Sequence, residues 1–464
     1  MLKTIFSFET KQLWRTKGMF FAIVLFTFIG FYALLQGKSV YDFKQQSITK
    51  RMKVVKDDEN EIRAILDTMR FVGKRSDGGV QAPYSLEWQL GAVVAKNITP
   101  LSILSIGQSD IYTPLMSVHF DRQFFKNEFI EFQNPEQLFV GNLDISFFIL
   151  YLVPLLFIAM AYNVQSDDKE TGVYPLLKIQ ASSMKLLIYK RLFIRWLFAL
   201  IPTFILCFFS FLTLKSLPNF SGSSFVIWWM VALLYAAFWL ILVAVIQHFK
   251  FSSLINAVVL AGVWVLVLIA IPGLLNTWFS YKFPAIDKTA IVEYRDIDFK
   301  GYDKPFVEHQ KIVFAQYPQW KKGFVYADSS YFKSFANALT NLEKEKEMHS
   351  NILKNSELQI SAEKNSFCTN PVGGVMRAFT TLSQSTLSDQ QNFEKATLNL
   401  RERKARYLYE NYLTKPYFTK KDFESMPKIN LPNAENDWKI YLFPLFALMC
   451  LGLIGLGFMG RNGI

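Results

Sequence analysis

The run Ile145–Val164, ISFFILYLVPLLFIAMAYNV, contains no Lys, Arg, Asp or Glu. At about 1.5 Å of rise per residue, ~20 apolar residues in a helix cross the ~30 Å hydrocarbon core of a bilayer. This stretch is therefore expected to span a membrane. Five more runs read the same way, near Gly18–Gln36, 192–214, 225–246, 254–279 and 440–459, while the segments between them are densely charged. The expected fold class is membrane all-α with six transmembrane helices.

Composition agrees with that expectation. The 464-residue chain is 51% hydrophobic and 16% aromatic, with 45 Phe and only 19% charged residues, too apolar for an ordinary soluble domain of this size. The net charge of +12 has no basic run interleaved with aromatics that stands clear of the apolar segments. The excess is read as topological, and nucleic acid is not expected as a partner. Cys207 and Cys450 lie in apolar runs and Cys368 in a polar region, which leaves no sensible disulfide pair.

Working outward, residues 1–17 set Leu2, Ile5, Phe6 and Leu13 on one side of a helix and Lys3, Lys11, Arg15 and Lys17 elsewhere, the pattern of an interfacial helix. The uncharged run after it exceeds a usual signal-peptide core and lacks a small-residue cleavage site, so a retained first span is expected. The full order reads as an interfacial helix over 1–17 and spans over 18–36, 144–164, 191–214, 225–247, 253–279 and 438–460. A connection over 165–190 joins the second and third spans. Two large segments, 37–143 and 280–437, read as separate extracytoplasmic domains, largely helical (α or α+β), with helices expected near 50–71, 329–358 and 375–412. Short connections carrying Lys169, Lys178, Lys185, Lys190, Arg191, Arg195 and Lys250 fall on the side of the N-terminus, and Arg461 joins them, whereas the loop 215–224 holds one Lys. The positive-inside bias then puts both termini in the cytoplasm and both large segments outside.

The connection Gln165-Ser-Asp-Asp-Lys-Glu-Thr-Gly-Val-Tyr-Pro-Leu-Leu-Lys178 sets Asp167, Asp168 and Glu170 beside an apolar turn of Val173, Tyr174, Leu176 and Leu177. A short amphipathic helix there can insert its apolar face into a cleft on a partner while the carboxylates meet basic side chains at the rim. A solvated loop between two helices is the plain alternative. Pro175 lacks an amide donor and is tolerated only in a helix's first turn, so any helix is expected to begin near Tyr174.

The run Asn134–Asp144, then Phe147–Tyr162 with Tyr151-Leu-Val-Pro-Leu-Leu156, the Lys169-Glu-Thr-Gly loop and Lys190-Arg-Leu-Phe-Ile-Arg195 resemble ABC-2 type permeases. The branch resembled most is the one with large outer domains after the first and fifth helices, to which the nitrous-oxide reductase maturation permease is related. Leu101–Pro114 and Asn370–Phe393 also look like segments of that branch. The resemblance implies a permease subunit of an ATP-driven exporter in a bacterial inner membrane. It implies two copies of a cytosolic ABC ATPase and a second permease, the same chain or a paralogue, as partners. It assigns ATPase coupling to the 165–178 connection, namely Asp167, Asp168, Glu170, Gly172, Tyr174, Leu176 and Leu177. Gly172-Val-Tyr-Pro175 stands where the family usually has Gly-Thr-Leu, a departure that would suit one half of a heterodimer. Its alternative function is force transmission to an extracytoplasmic protein partner without transport. The cargo is left open by either.

No GxxxxGK[ST] loop occurs, so no cofactor is expected on this chain itself, and ATP with Mg would be held by the partner. There is no HExxH, Cys-x-x-Cys or GxSxG, and His119, His248, His309 and His349 are scattered, so neither a metal nor a catalytic residue is expected. Polar residues at span ends, Asp144, Asn163, Gln247, Asn256 and Asn276, read as interfacial; Asn163, Gln247 and Asn256 are the candidates for lining a translocation path. Pro154, Pro202 and Pro272 inside spans are expected to kink helices or simply to pack. Trp228, Trp229, Trp278, Trp438 and Tyr441 are expected to form an interfacial belt.

Overall fold

The computed structural model describes residues 2–68, 93–118, 143–181, 183–283, 305–323, 329–367, 369–415, 418–431 and 437–462. Six helices among them are long and apolar enough to cross a membrane: Lys17–Asp67, Ile145–Glu170, Met184–Leu214, Gly222–His248, Ser253–Lys282 and Trp438–Phe458. The architecture is all-α apart from a two-stranded antiparallel ribbon that pairs Val93–Ala95 with Leu115–Ser117. The stretch Asn134–Asn142 and His119 lie outside the described residues.

The helix that carries the first span does not stop at Gln36. One helix runs from Lys17 to Thr68, because no proline interrupts 37–68 and Lys38 and Asp42 pair at 2.5 Å along its face. Its far end, with Ile62 and Leu66, enters an apolar cluster with Val94 and Met116 from the same long connection. Val313, Phe332, Phe393, Leu408 and Phe423 of the connection between the fifth and sixth spans fill the same cluster. The two large segments, read from sequence as two domains, thus contribute to one apolar core, called the lobe. The ribbon and the helix tail leave an apolar face uncovered, and the later helices cover it. Lys420 closes the joint on Asp67 at 2.7 Å.

A second correction concerns the helix Pro371–Leu382, which lies in the lobe sequence but packs into the span bundle. Val372, Val375, Ala378 and Phe379 belong to the bundle core, and Phe379 stacks on Trp228 with ring centroids 4.2 Å apart. Trp228, Trp229 and Tyr441 are accordingly buried rather than belted against lipid, while Trp278 remains exposed. The Trp228 ring covers this inserted helix at Phe379, Trp229 packs on Trp228, and Tyr441 meets Phe367 just before the helix. Asp144 is likewise buried: it caps the second span by accepting from Phe147 N at 2.7 Å and accepts from Ile106 N at 2.9 Å.

Three of the four span prolines share one device, whereas Pro444 lies inside the helix Trp438–Asn462. Pro154 and Pro272 each follow a π-helical turn, Phe148–Leu152 and Leu266–Ala270, and Pro202 follows a break at Leu200, so each of these three rings sits in the first turn of a new helical segment. The ring cannot donate and would strike the carbonyl one turn back, and widening that turn removes the clash. Near Pro154 the carbonyls find donors on other spans. Tyr235 Oη donates to Leu150 O at 2.9 Å, and Trp264 Nε1 donates to Tyr151 O at 3.1 Å. A bare carbonyl in this setting is costly, so Tyr235→Phe is expected to lower stability by about 1–2 kcal/mol. Thermal unfolding of the detergent-purified protein checks it, and an unchanged midpoint would mean that Leu150 O has another donor.

Candidate functional site

One face of the bundle carries the N-terminal helix Leu2–Arg15, the connection between the second and third spans, and the turn between the fourth and fifth; it is called the terminal face below. The connection forms two short helices, Ser166–Glu170 and Tyr174–Gln180. Gly172 between them has φ +74, the left-handed conformation that ends a helix most cheaply when the residue lacks a Cβ. Pro175 falls in the first turn of the second helix, as its missing donor requires.

The first short helix is fastened from three directions. Glu170 accepts from the backbone amide of Ser253 at 2.8 Å and from its hydroxyl at 2.9 Å, while that hydroxyl lies 2.8 Å from Ser166 Oγ. Lys169 Nζ donates to Lys250 O at 3.1 Å. Asp168 accepts from Arg191 Nη1 at 2.6 Å. The carboxylates of Asp168 and Glu170 are therefore held by this chain, and Asp167 is half-buried beside them.

Behind Asp168 lies a buried charge cluster. Arg191 Nε donates to Glu9 at 2.6 Å and Arg195 Nε to the other Glu9 oxygen at 2.8 Å, with Glu9 and Arg195 each only 2% exposed. Arg195 Nη1 also donates to Met160 O at 2.7 Å and to Asn163 Oδ1 at 3.0 Å. Two guanidinium groups and two carboxylates balance, and nearly every polar atom has a partner, the condition under which buried charge is tolerated. The cluster ties the N-terminal helix to the second and third spans.

Glu9 and the structural part played by Arg191 and Arg195 escaped the sequence analysis, in which both arginines counted toward orientation and toward the family resemblance. Two signals were present. Glu9 is the sole acid among residues 1–17, and Arg191 and Arg195 stand four apart, on one helix face.

The second short helix is presented differently. Val173 is 41%, Leu176 60% and Ile179 84% exposed, whereas Tyr174 and Leu177 are half-buried. Residues 173, 176 and 179 recur at helical spacing, so the apolar stripe faces away from the protein. Of the coupling residues, the structure brings Asp167, Asp168, Glu170 and Gly172 into the fastened base. It leaves Leu176 on the free stripe, with Ile179 as a member that sequence reasoning had not included.

Asn163, Gln247 and Asn256 all lie at span ends on this face. Gln247 Nε2 donates to Ala161 O and Tyr162 O, both at 2.9 Å, joining the fourth span to the second. Asn256 Nδ2 reaches Gln247 Oε1 at 3.4 Å, and Asn163 accepts from Arg195. All three hold helix ends together.

A family model described as a domain of unknown function (DUF3526) matches residues 294–430. The match covers under a third of the chain, lies in the connection between the fifth and sixth spans, and leaves the terminal face outside it. No curated protein and no solved structure matches the chain.

Proposed function

We propose that this multi-pass chain is the permease subunit of an ABC-2 type ATP-driven exporter of a bacterial inner membrane. ATP is hydrolysed by a separate cytosolic ATPase, two copies per assembly, and the chain pairs with a second permease. The observation that carries this reading is the exposed stripe Val173, Leu176 and Ile179 on a helix whose base is fastened to the spans. An apolar helix face offered to the aqueous side fits a groove on a partner, and a rigid base turns a push on that face into movement of the spans. The Lys and Arg bias of the short connections supports a cytosolic terminal face.

A second reading, force transmission to an extracytoplasmic partner without transport, is favoured by one feature. The helix Lys17–Thr68 runs unbroken from the span bundle into the lobe core, so tilting the span swings the lobe. Stimulation of ATP hydrolysis by a candidate cargo separates transport from this alternative.

The test is co-purification of the full-length chain with an ABC ATPase co-expressed from the same organism. Leu176→Asp with Ile179→Asp is expected to weaken that association on the order of 100-fold, since two apolar anchors become buried unpaired charges. Both side chains are exposed, so thermal stability should be unchanged. Undiminished association of the double variant, or an absence of any ATPase on the wild-type chain, overturns the proposal.

A further inference from the structure

At the end of the fifth span far from the terminal face lies a cavity of about 360 Å³. It is bounded by residues 272–279 of that span, the end of the helix Ser329–Ser366 and the inserted helix Pro371–Leu382. Its volume falls in the small-molecule range of about 300–1,000 Å³. Pro272, Leu275 and Phe279 recur at helical spacing and form one apolar wall, which Phe367 and Met376 continue. Asn276 stands beside that wall, and its side-chain amide makes no hydrogen bond among the described residues.

Two charged side chains border the space, Arg377 from the inserted helix and Glu363 from the last turn of Ser329–Ser366, and both are half-buried. Their bonds within the chain are to neutral groups: Arg377 Nη2 donates to the Ser388 hydroxyl at 2.9 Å, and Glu363 accepts from the Gln359 side-chain amide at 3.2 Å. Neither forms an ion pair with the other or with any described residue. A carboxylate in the last turn of a helix also meets the negative end of the helix dipole, so Glu363 sits where its charge is disfavoured and no cation is bonded to it. The height of the cavity gives an independent sign. Trp278 and Tyr281 are 47% and 88% exposed, and Lys282 Nζ lies 4.8 Å from the Trp278 ring, the residue types that anchor a span among lipid headgroups. Leu275, Asn276 and Phe279 stand within two turns of them on the same helix.

We infer that this cavity holds the headgroup of an aminophospholipid, with the phosphate on Arg377 and the ammonium on Glu363. Opposite charges that border one space without pairing match a ligand that carries both charges and reaches between them. Arg377 has one hydrogen bond committed to Ser388, and the rest of its donor fork fits phosphate oxygens. An ammonium has three N–H donors, and Glu363 offers an acceptor. The glycerol end of the lipid meets the apolar wall, and its chains leave along the lipid-exposed side of the fifth span, where Leu274 is 72% exposed. That wall selects a lipid over a soluble zwitterion. Of the helix Ile271–Lys282 only Phe279 is buried, so a lipid seated here ties this loosely packed segment to the inserted helix. The site does not rest on the proposed ATPase partner, because it lies at the opposite end of the spans from the exposed stripe.

The experiment uses the full-length chain purified in a maltoside detergent without any ATPase. Native mass spectrometry reads retention of added phosphatidylethanolamine, phosphatidylglycerol and phosphatidylcholine. Phosphatidylethanolamine is expected to be retained best, since phosphatidylglycerol has no ammonium and the trimethylated nitrogen of phosphatidylcholine has no N–H to donate. Arg377→Ala and Glu363→Gln are each expected to weaken its retention by about 10-fold or more, the loss of one charge-assisted hydrogen bond. Should Arg377→Ala fold poorly, Leu275→Trp fills the cavity from its apolar wall with both charges in place, and it is expected to lose the lipid as well. Glycerophosphoethanolamine, which carries the headgroup without the chains, should leave the unfolding midpoint unchanged at concentrations where the lipid raises it. Equal retention of the three lipids by the wild type, an undiminished preference in Glu363→Gln or Leu275→Trp, or equal stabilisation by glycerophosphoethanolamine overturns the inference.

Discussion

Glu9→Ala is expected to destabilise the protein by about 3–5 kcal/mol, the usual cost of stripping one partner from a buried ion cluster. The carboxylate it removes accepts from both Arg191 and Arg195, at 2.6 and 2.8 Å, inside a space almost closed to water. Asp168 alone then faces two guanidinium groups, and the packing of the N-terminal helix on the third span loses its central tie. Glu9→Gln keeps the shape and some hydrogen bonding but loses the charge, so it should fall between wild type and Glu9→Ala. The check is thermal unfolding of the detergent-purified variants. An unaltered midpoint for Glu9→Ala would show that the cluster does not hold the N-terminal helix. The functional side follows from connectivity: through Asp168 the cluster joins the fastened helix Ser166–Glu170, so its loss should also lower any ATPase coupling that depends on that base.

Gly37→Leu is expected to break the joint between the first span and the base of the lobe. A Cβ at residue 37 would stand 2.0 Å from the carbonyl oxygen of Ile103 and 3.0 Å from its carbonyl carbon. Both are main-chain atoms, so no rotamer change relieves the clash. Ile103 is itself pinned in a short 3-10 turn whose neighbours are tied to other elements. Leu101 O accepts from Ser383 Oγ at 3.1 Å, and Leu104 O accepts from Ser146 N at 3.0 Å. Overpacking a tight core costs about 1–3 kcal/mol, and a contact against fixed backbone lies at the upper end. Gly37→Ala should show most of the loss, because the offending atom is the Cβ itself. Protease digestion of the folded variants reads it directly, as faster cleavage in the lobe than in wild type. Wild-type resistance in both variants would mean that the turn yields.

Much of the architecture was legible in the sequence, because the cost that selects a membrane span is local. About 20 consecutive residues either present an uncharged surface to lipid or they do not, and no distant residue changes that. The six apolar runs, the first-turn placement of Pro175 and the glycine between the two short helices all follow from residues within a turn or two of each other. The same locality explains the boundary that was missed: nothing in 37–68 ends a helix, and a span boundary in hydropathy is not a helix boundary in the backbone.

Only the tertiary structure decided which groups meet. Glu9 and Arg195 are 186 residues apart, Thr99 donates to a carbonyl at Ser383, and Trp228 finds its partner in Phe379. Such pairs are chosen by how whole helices pack, a condition that neither spacing nor composition records. The sequence therefore determined that the chain has six stretches long and apolar enough to cross a membrane, and where a short helix begins on the connection. The fold determined that Asp168 and Glu170 of that connection are bonded to other elements of the chain and that its apolar stripe is left outward, because burial and pairing are properties of neighbours in space.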